Sequence, residues 1–557
     1  MSLSLHKIKF DYTIKLAPKK EREILKMEKF LYKRLDKKEP KMNLWFMYPA
    51  IESFAMASLG YLSIFKMFDL DYEIYSERVY FDSKTTQIPS KLVDSVGFSV
   101  SFELDILSII KMLKKYDFPL HAKERGEDDP IVFGGGPVLM SNPKAFEDLF
   151  DFISIGEMSC LSFAMDILKK RKEENLTRVW ALEELSKLDG IYVPSFPKEK
   201  VEIVRDKIED NPIYTPILSE KSFFKDTFVI ELERGCPKMC NFCLASWLNL
   251  PVRFVKFEKI IEALDFGLQY TNKIALLGAY VAGHPKFKEI IEYISKKAKE
   301  NPIELSISSL RADLADEKLM ETLVLCGQKT ATIALEAGSQ RLRDFIKKDL
   351  TDEQILNTLN AAQKAGLRGM KIYLMLGLPE EKESDLEELI ALMKKVKAQI
   401  KENKTPFEIT LSASTFIPKP HTPFENMPRE DKKSLEKKIK FLQKNLHQMG
   451  INFKVSSIEW DIFQTILSTH QESLVDFLIE VVEKGGNLGA FKQLWRKYNK
   501  EKEKNIKEGH LLNANKCAAL PFNNNKVLNW SFISCGASDL KAKRQNECLR
   551  ELGLMEN

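Results

Sequence analysis

Phe228-Val-Ile-Glu-Leu-Glu-Arg-Gly-Cys-Pro-Lys-Met-Cys-Asn-Phe-Cys-Leu244 runs from an apolar strand straight into three closely spaced cysteines. Residues 228–232 have the content of a buried strand, and Gly235 and Pro237 then set an irregular loop rather than a continuing element. That loop carries Cys236, Cys240 and Cys243 in a Cys-x3-Cys-x2-Cys spacing. Three thiolates can hold three irons of a cubane cluster and leave the fourth iron open, whereas ordinary cluster carriers and structural zinc sites close with four ligands. The next His is His284, 41 residues past Cys243. A zinc knob or a plain electron carrier is the competing reading of the same triplet.

Downstream of this loop the pattern alternates. Strands are expected at Lys273–Leu277, Glu304–Ile307, Thr330–Leu335, Met370–Met375 and Ile409–Thr415, with helices between them. Phe257, Ile260, Ile261, Leu264 and Leu268 share one helical face, and Ile355, Leu356, Leu359 and Ala362 share another. Upstream lies a separate alternating series, with strands at Leu44–Tyr48, Tyr72–Tyr75, Ser95–Ser99, Pro130–Phe133 and Phe152–Ile155. Strands alternating with helices predict a doubly wound, Rossmann-like parallel sheet whose ligand crevice lies at the carboxyl ends of the strands. After about Pro428 the strand alternation stops, and long charged helical patterns cover Arg429–Met449 and Ser473–Tyr498. Lys500–Lys507 reads as a solvated charge run. The expected organisation is an α/β fold with an N-terminal arm over 1–40, a first domain over 41–200, a second over 215–428 and a helical C-terminal domain over 429–557.

With 557 residues the chain is too long for one ordinary domain. Hydrophobic content of 44% and charged content of 30% describe a soluble globular protein. Lys+Arg 85 against Asp+Glu 80 leaves a net charge of +5, which does not argue for nucleic acid. Of eight cysteines, Cys160, Cys326, Cys517, Cys535 and Cys548 are scattered. That usage, with neither a signal peptide nor an 18-residue apolar run, predicts a cytoplasmic protein that does not enter a membrane. Cys535 and Cys548 are thirteen residues apart and read as free thiols, with a second metal site as the alternative.

The Cys-x3-Cys-x-aromatic-Cys signature, with Phe242 in the aromatic place, resembles that of the radical S-adenosylmethionine (radical SAM) enzymes. The resemblance implies a 4Fe–4S cluster on Cys236, Cys240 and Cys243, S-adenosylmethionine (SAM) on the open iron, and reductive cleavage of SAM to a 5'-deoxyadenosyl radical. It also implies a partial (β/α)6 TIM-type barrel, with the chemistry on the loops after its strands, and an electron donor such as flavodoxin or ferredoxin.

From the same resemblance, SAM contacts are expected at the strand ends. Strand two ends in Leu277-Gly278-Ala279-Tyr280, where the family often has a Gly-Glu motif that contacts the SAM amino group. The Glu is missing, so only backbone contacts from Gly278 and Ala279 carry over. Ser309 and Arg311 after strand three suit the ribose or the SAM carboxylate, although Arg311 could instead pair with Asp313 or Asp316. Glu336 lies in Glu336-Ala-Gly-Ser339, similar to the Glu-x-Gly-Ser segment of many radical SAM enzymes. A carboxylate there needs a cationic partner, either the SAM ammonium or an Arg, while helix capping suits Ser339 better. Gly377 after strand five allows close approach of an adenine ring.

Phe416-Ile-Pro-Lys-Pro-His-Thr-Pro-Phe424, together with Tyr48-Pro49, Gly134-Gly135-Gly136-Pro137 and Gly156-Glu157, resembles radical SAM proteins with an amino-terminal cobalamin-binding-like domain. This implies cobalamin cradled on the backbone of Gly134, Gly135 and Gly136, although no Asp-x-His-x-x-Gly loop is present to supply a lower cobalt ligand. His421 either faces the substrate or braces its loop. The expected activity is a radical SAM enzyme of the transferase class, moving a methyl group to an unactivated carbon with cobalamin. Rearrangement, oxidation or sulfur insertion without cobalamin is the alternative. A non-catalytic metal-cluster scaffold is the third. Sulfur insertion is disfavoured, because the first domain holds only Cys160 where a second cluster would need three cysteines.

Overall fold

A computed structural model describes residues 28–505 and 528–552. Most of the expected N-terminal arm and Cys517 lie outside these residues. The described end of the arm is a strand, Glu28–Phe30, paired antiparallel with Ile217–Ser219.

The first sheet has six strands: β1 (Met42–Tyr48), β2 (Ile74–Tyr80), β3 (Ser95–Ser99), β4 (Ile131–Gly135), β5 (Phe152–Ser154) and β6 (Ile191–Tyr192). Their order is β2-β1-β3-β4-β5-β6, with only β6 antiparallel. The order reverses beside β1, which makes a crevice at the carboxyl ends of β1 and β3. Strand β1 is apolar on both faces because both are covered. Leu44 and Phe46 pack with α1 (Leu59–Asp69) through Tyr61, Phe65 and Phe68, whereas Trp45 and Met47 face α2 (Asp105–Lys115) through Ile106 and Ile110.

The second group of strands is β7 (Phe228–Glu231), β8 (Lys273–Leu277), β9 (Glu304–Ile307), β10 (Thr330–Glu336), β11 (Gly369–Leu376), β12 (Glu408–Thr415) and β13 (Asn452–Val455). All neighbours pair in parallel, in sheets β7-β8-β9 and β10-β11-β12-β13, and a single bridge between Leu310 and Ile333 joins the two sheets. Among the described residues no pairing joins β13 back to β7, so the array stays open. Because side chains alternate along a strand, one face, including Ile230, Leu276, Leu305, Ile333, Ile372 and Leu411, packs under helices such as α3 (Phe257–Leu268) and α4 (Asp352–Ala365). The other face is polar and partly open, with Ser306, Thr332, Lys371, Tyr373, Thr410 and Ser412 along it.

The C-terminal region departs from expectation. Helix α5 (Lys432–Gln448) leads into β13, so one further strand–helix unit lies past residue 428. The four-residue strand Asn-Phe-Lys-Val has too few apolar residues to announce itself. Helices α6 (Ile458–Thr469), α7 (Val475–Glu483) and α8 (Leu488–Asn505) then pack onto the first domain instead of forming a separate one. Phe463, Phe477, Phe491 and Trp495 share one apolar core with Trp45, Val96, Ile106 and Leu139. The last described segment crosses both halves: Ile533–Ser534 pairs in parallel with Val201–Glu202, and α9 (Ser538–Glu551) packs Cys548 and Leu549 against Phe345, Phe416 and Phe424.

Candidate metal centre

The three cysteines lie at the carboxyl end of β7. Gly235 turns the chain there with φ +91°, and a Cβ at this position would fall 2.7 Å from the Asn249 carbonyl, so only glycine fits the turn. The loop is then tied down by its own polar groups. Trp247 Nε1 donates to the Cys240 carbonyl at 2.9 Å. Asn241 donates from its backbone to Ile346 O at 3.0 Å and from Nδ2 to Phe345 O at 2.8 Å. Phe242 is half-buried against the cluster of Phe345, Phe416 and Phe424, which makes it an anchor of the loop.

Cys236 and Cys240 are buried and Cys243 is partly exposed, and all three are free thiols. Cys236 and Cys240 each lie close enough to a neighbouring cysteine for its charge to disfavour their ionisation. Burial raises the Cys236 thiol and pushes Cys240 up to about 12, while the positive charges of Arg311 and Lys348 pull the other way. Among the described residues no three His, Cys, Asp or Glu side chains converge as a site for one metal ion. A cubane asks for something else, three thiols around a common volume with one on each of three irons. A shared thiol neighbourhood with two cations nearby fits such a group, since the bound form is the thiolate.

Arg311 pairs with Asp313 through Nε at 2.9 Å and donates to Lys348 O at 2.8 Å, the second of its two expected arrangements. Glu336 finds a partner in Lys348, at 3.1 Å, and not in an Arg. Lys348 had no signal in the sequence because it lies twelve residues beyond Glu336, past an intervening helix. Glu336 also has φ +68° at a register shift in β10. A left-handed non-glycine residue at a bulge is a costly conformation that concentrates at functional sites. Ser339 caps the following helix by accepting from Leu342 N at 3.1 Å. Ser309 and Ala279 are exposed at their strand ends. Gly377, φ +74°, is buried beneath Leu435, and its N–H donates to Glu381 Oε2 at 2.8 Å.

At the end of β8 the structure shows a carboxylate that the sequence reading passed over. Glu233 comes from the cluster loop, is 1% exposed, and accepts from Tyr280 N at 2.5 Å through Oε1. A Cβ on Gly278 would lie 2.0 Å from both of its carboxylate oxygens, so Gly278 is the floor on which this side chain rests. Burial pushes the Glu233 carboxyl up to about 8; the nearby amides oppose this and the Glu231 charge adds to it.

In the first domain Gly134 lies under Leu139 and Phe150, and Gly136, φ +109°, sits against the Val100 carbonyl, while Gly135 has Ser154 3.4 Å from its Cβ position. The carboxyl edge of this sheet carries exposed Ile51, Phe54, Phe81 and Phe102. His421 is buried and bonded to the Ser141 carbonyl at 2.9 Å, so it braces its loop against the first domain. Lys419 of the same loop reaches Glu103, which also accepts from Ser468 and Gln464.

Comparison with known proteins bears on both halves. Residues 60–194 match a family described as radical SAM proteins, N-terminal, and residues 230–393 match the radical SAM superfamily. An uncharacterized protein, MJ0966, of Methanocaldococcus jannaschii is 33% identical over 405 residues, 72% of this chain and 82% of the relative. An uncharacterized methyltransferase, PH0819, of Pyrococcus horikoshii is 26% identical, over 55% of this chain and 70% of its own length. Among solved structures, the cobalamin-dependent SAM radical enzyme OxsB with aqua-cobalamin bound is similar at TM-score 0.46 and 16% identity, over 65% of this chain and 53% of that one.

Proposed function

This chain belongs to the radical SAM superfamily, and on that premise we propose that it transfers a methyl group to an unactivated carbon with the help of cobalamin. The cofactors of the superfamily are a 4Fe–4S cluster and SAM. When bound, they supply one-electron cleavage of the sulfonium and a 5'-deoxyadenosyl radical that abstracts hydrogen. The observation that carries the reading is the placement of Cys236, Cys240 and Cys243 in one neighbourhood with Arg311 and Lys348, at the carboxyl ends of parallel strands.

In this reading the three thiolates hold the cluster, with Arg311 favouring the ionised form of Cys236 and both Arg311 and Lys348 that of Cys240. Lys348 also holds Glu336 in place, at 3.1 Å, where a ribose hydroxyl would donate to its carboxylate. The strands β7 to β13 act as an open barrel whose polar inner face, with Lys371, Tyr373 and Ser412, receives the substrate. Loop packing by Phe242, Trp247 and the C-terminal segment excludes water and oxidants from the site. Cobalamin is assigned to the carboxyl edge of the first sheet, where exposed Ile51, Phe54, Phe81 and Phe102 suit a broad, largely apolar ring system. Methyl transfer is supported by the resemblance to PH0819, named as a methyltransferase. An electron donor such as flavodoxin or ferredoxin completes the scheme.

Anaerobic reconstitution of the whole chain tests it. About four irons and four sulfides per chain are expected, with release of 5'-deoxyadenosine from SAM and dithionite that Cys236→Ala, Cys240→Ala and Cys243→Ala each abolish. Zinc content without SAM cleavage overturns the enzyme reading. A protein left colourless after incubation with hydroxocobalamin and desalting overturns the cobalamin assignment.

A further inference from the structure

We infer that Glu233 supplies the carboxylate that receives the α-ammonium of SAM, a part played here from the cluster loop and not from the end of strand β8. The inference rests on the SAM reading of this site and goes beyond it, by assigning the amino-group contact to a residue outside the strand-two position.

Glu233 is three residues ahead of Cys236, so it stands at the cluster. Its side chain crosses to the end of β8, resting on Gly278 and accepting the Tyr280 N–H at 2.5 Å through Oε1. Oε2 is buried and makes no hydrogen bond of normal geometry among the described residues. A buried carboxylate oxygen without a partner costs free energy; burial favours the protonated acid, and a cationic donor would favour the charged form instead. Among the described residues no cation offsets it: the charge acting on Glu233 is that of Glu231, which is negative. The neighbouring cations are engaged elsewhere, Arg234 with Glu231 and Glu157, Arg253 with Glu157, and Arg311 with Asp313. A buried, unpaired acceptor three residues from a cluster ligand, with no cation paired to it among the described residues, fits an ammonium carried by the ligand. Of the positive groups in SAM, the sulfonium has no hydrogen to donate and the ammonium has three.

The glycine at 278 follows from the same arrangement. Any side chain there would occupy the space of the Glu233 carboxylate, so a glycine on β8 and a glutamate on the loop form one device.

The test is binding to reconstituted full-length protein by equilibrium dialysis, comparing wild type with Glu233→Gln. The probes are S-adenosylhomocysteine, which keeps the amino acid moiety, and 5'-methylthioadenosine, which lacks it. Gln keeps the acceptor for Tyr280 and removes the charge. The expected result is at least tenfold weaker binding of S-adenosylhomocysteine with 5'-methylthioadenosine unchanged and iron content preserved. Equal affinity of both proteins for both probes overturns the inference, as does a parallel loss for both probes, which marks a structural role. Failure of the wild type to bind S-adenosylhomocysteine overturns the SAM reading itself, a different outcome from the variant failing to differ.

Discussion

Arg234 Nη1 lies 2.5 Å from Oε2 of Glu157, so the arginine two residues ahead of the first cluster cysteine is held by a carboxylate at the end of strand β5 in the first domain. Glu157 also takes Arg253 in a two-point pair at 2.7 and 3.0 Å. The three side chains are mostly buried, and they lock the cluster loop to the first domain. Removing one member of a buried pair leaves charges uncompensated.

Glu157→Gln is therefore expected to lower stability by about 3 kcal/mol, toward the low end for buried pairs because Arg234 keeps Glu231. Urea denaturation of the whole chain measures it. A change below about 0.5 kcal/mol would mean that the cluster of charges is a solvated surface feature.

His421 makes stability depend on pH. Burial lowers its pKa from 6.5 to about 4. Between those values the unfolded chain binds the proton and the native protein does not, so the contribution is full above about pH 6.5 and is lost as pH falls toward 4. Asp105, which burial raises from 3.8 to about 6, acts in the opposite sense over much of the same pH range. The informative quantity is the difference between wild type and His421→Gln: wild type should lose more melting temperature between pH 7 and pH 4.5. Parallel curves would show that His421 is accessible and ordinary.

Gly278 and Glu233 should be energetically coupled. Gly278→Ala forces a methyl into the carboxylate and should cost about 1–3 kcal/mol. In a Glu233→Ala background that conflict disappears, and the same substitution should cost at least about 0.5 kcal/mol less. Additive costs in the double-mutant cycle would place the two side chains apart.

The C-terminal helix α9 should guard the cluster loop. Arg544 donates to the Met239 carbonyl and sits over the Trp247 ring at 5.6 Å. Together these contacts are worth about 1–2 kcal/mol. Arg544→Ala should therefore speed hydrogen exchange of the amides over 239–243 about tenfold, with exchange in β11 unchanged. Unaltered protection of the loop would show that α9 is a bystander.

Local spacing carried much of this reading. The cysteine triplet, the strand before it and the alternation of strands and helices are written within a few residues of one another, where periodicity and backbone preference act directly. Arg311 shows the limit: its pairing with Asp313 was one of two arrangements compatible with the sequence, and the neighbouring acid two residues away takes it. Lys348 and Glu233 were passed over for a related reason. Lys348 stands at no strand end, and Glu233, directly after the expected strand 228–232, has its contact at the end of the neighbouring strand; each partnership becomes visible only when a loop folds back across the sheet.

The sequence by itself determined the parallel α/β character, the cluster-binding loop and the glycine-dependent turn at Gly235, because these follow from near-neighbour sterics and side-chain alternation. Tertiary structure alone decided that α6, α7 and α8 cover the first domain, that Glu157 grips Arg234, and that Glu233 rests on Gly278. Those relationships join residues 45 to several hundred positions apart. No local preference encodes them; they form because apolar faces and buried charges on distant segments must find partners when water is excluded.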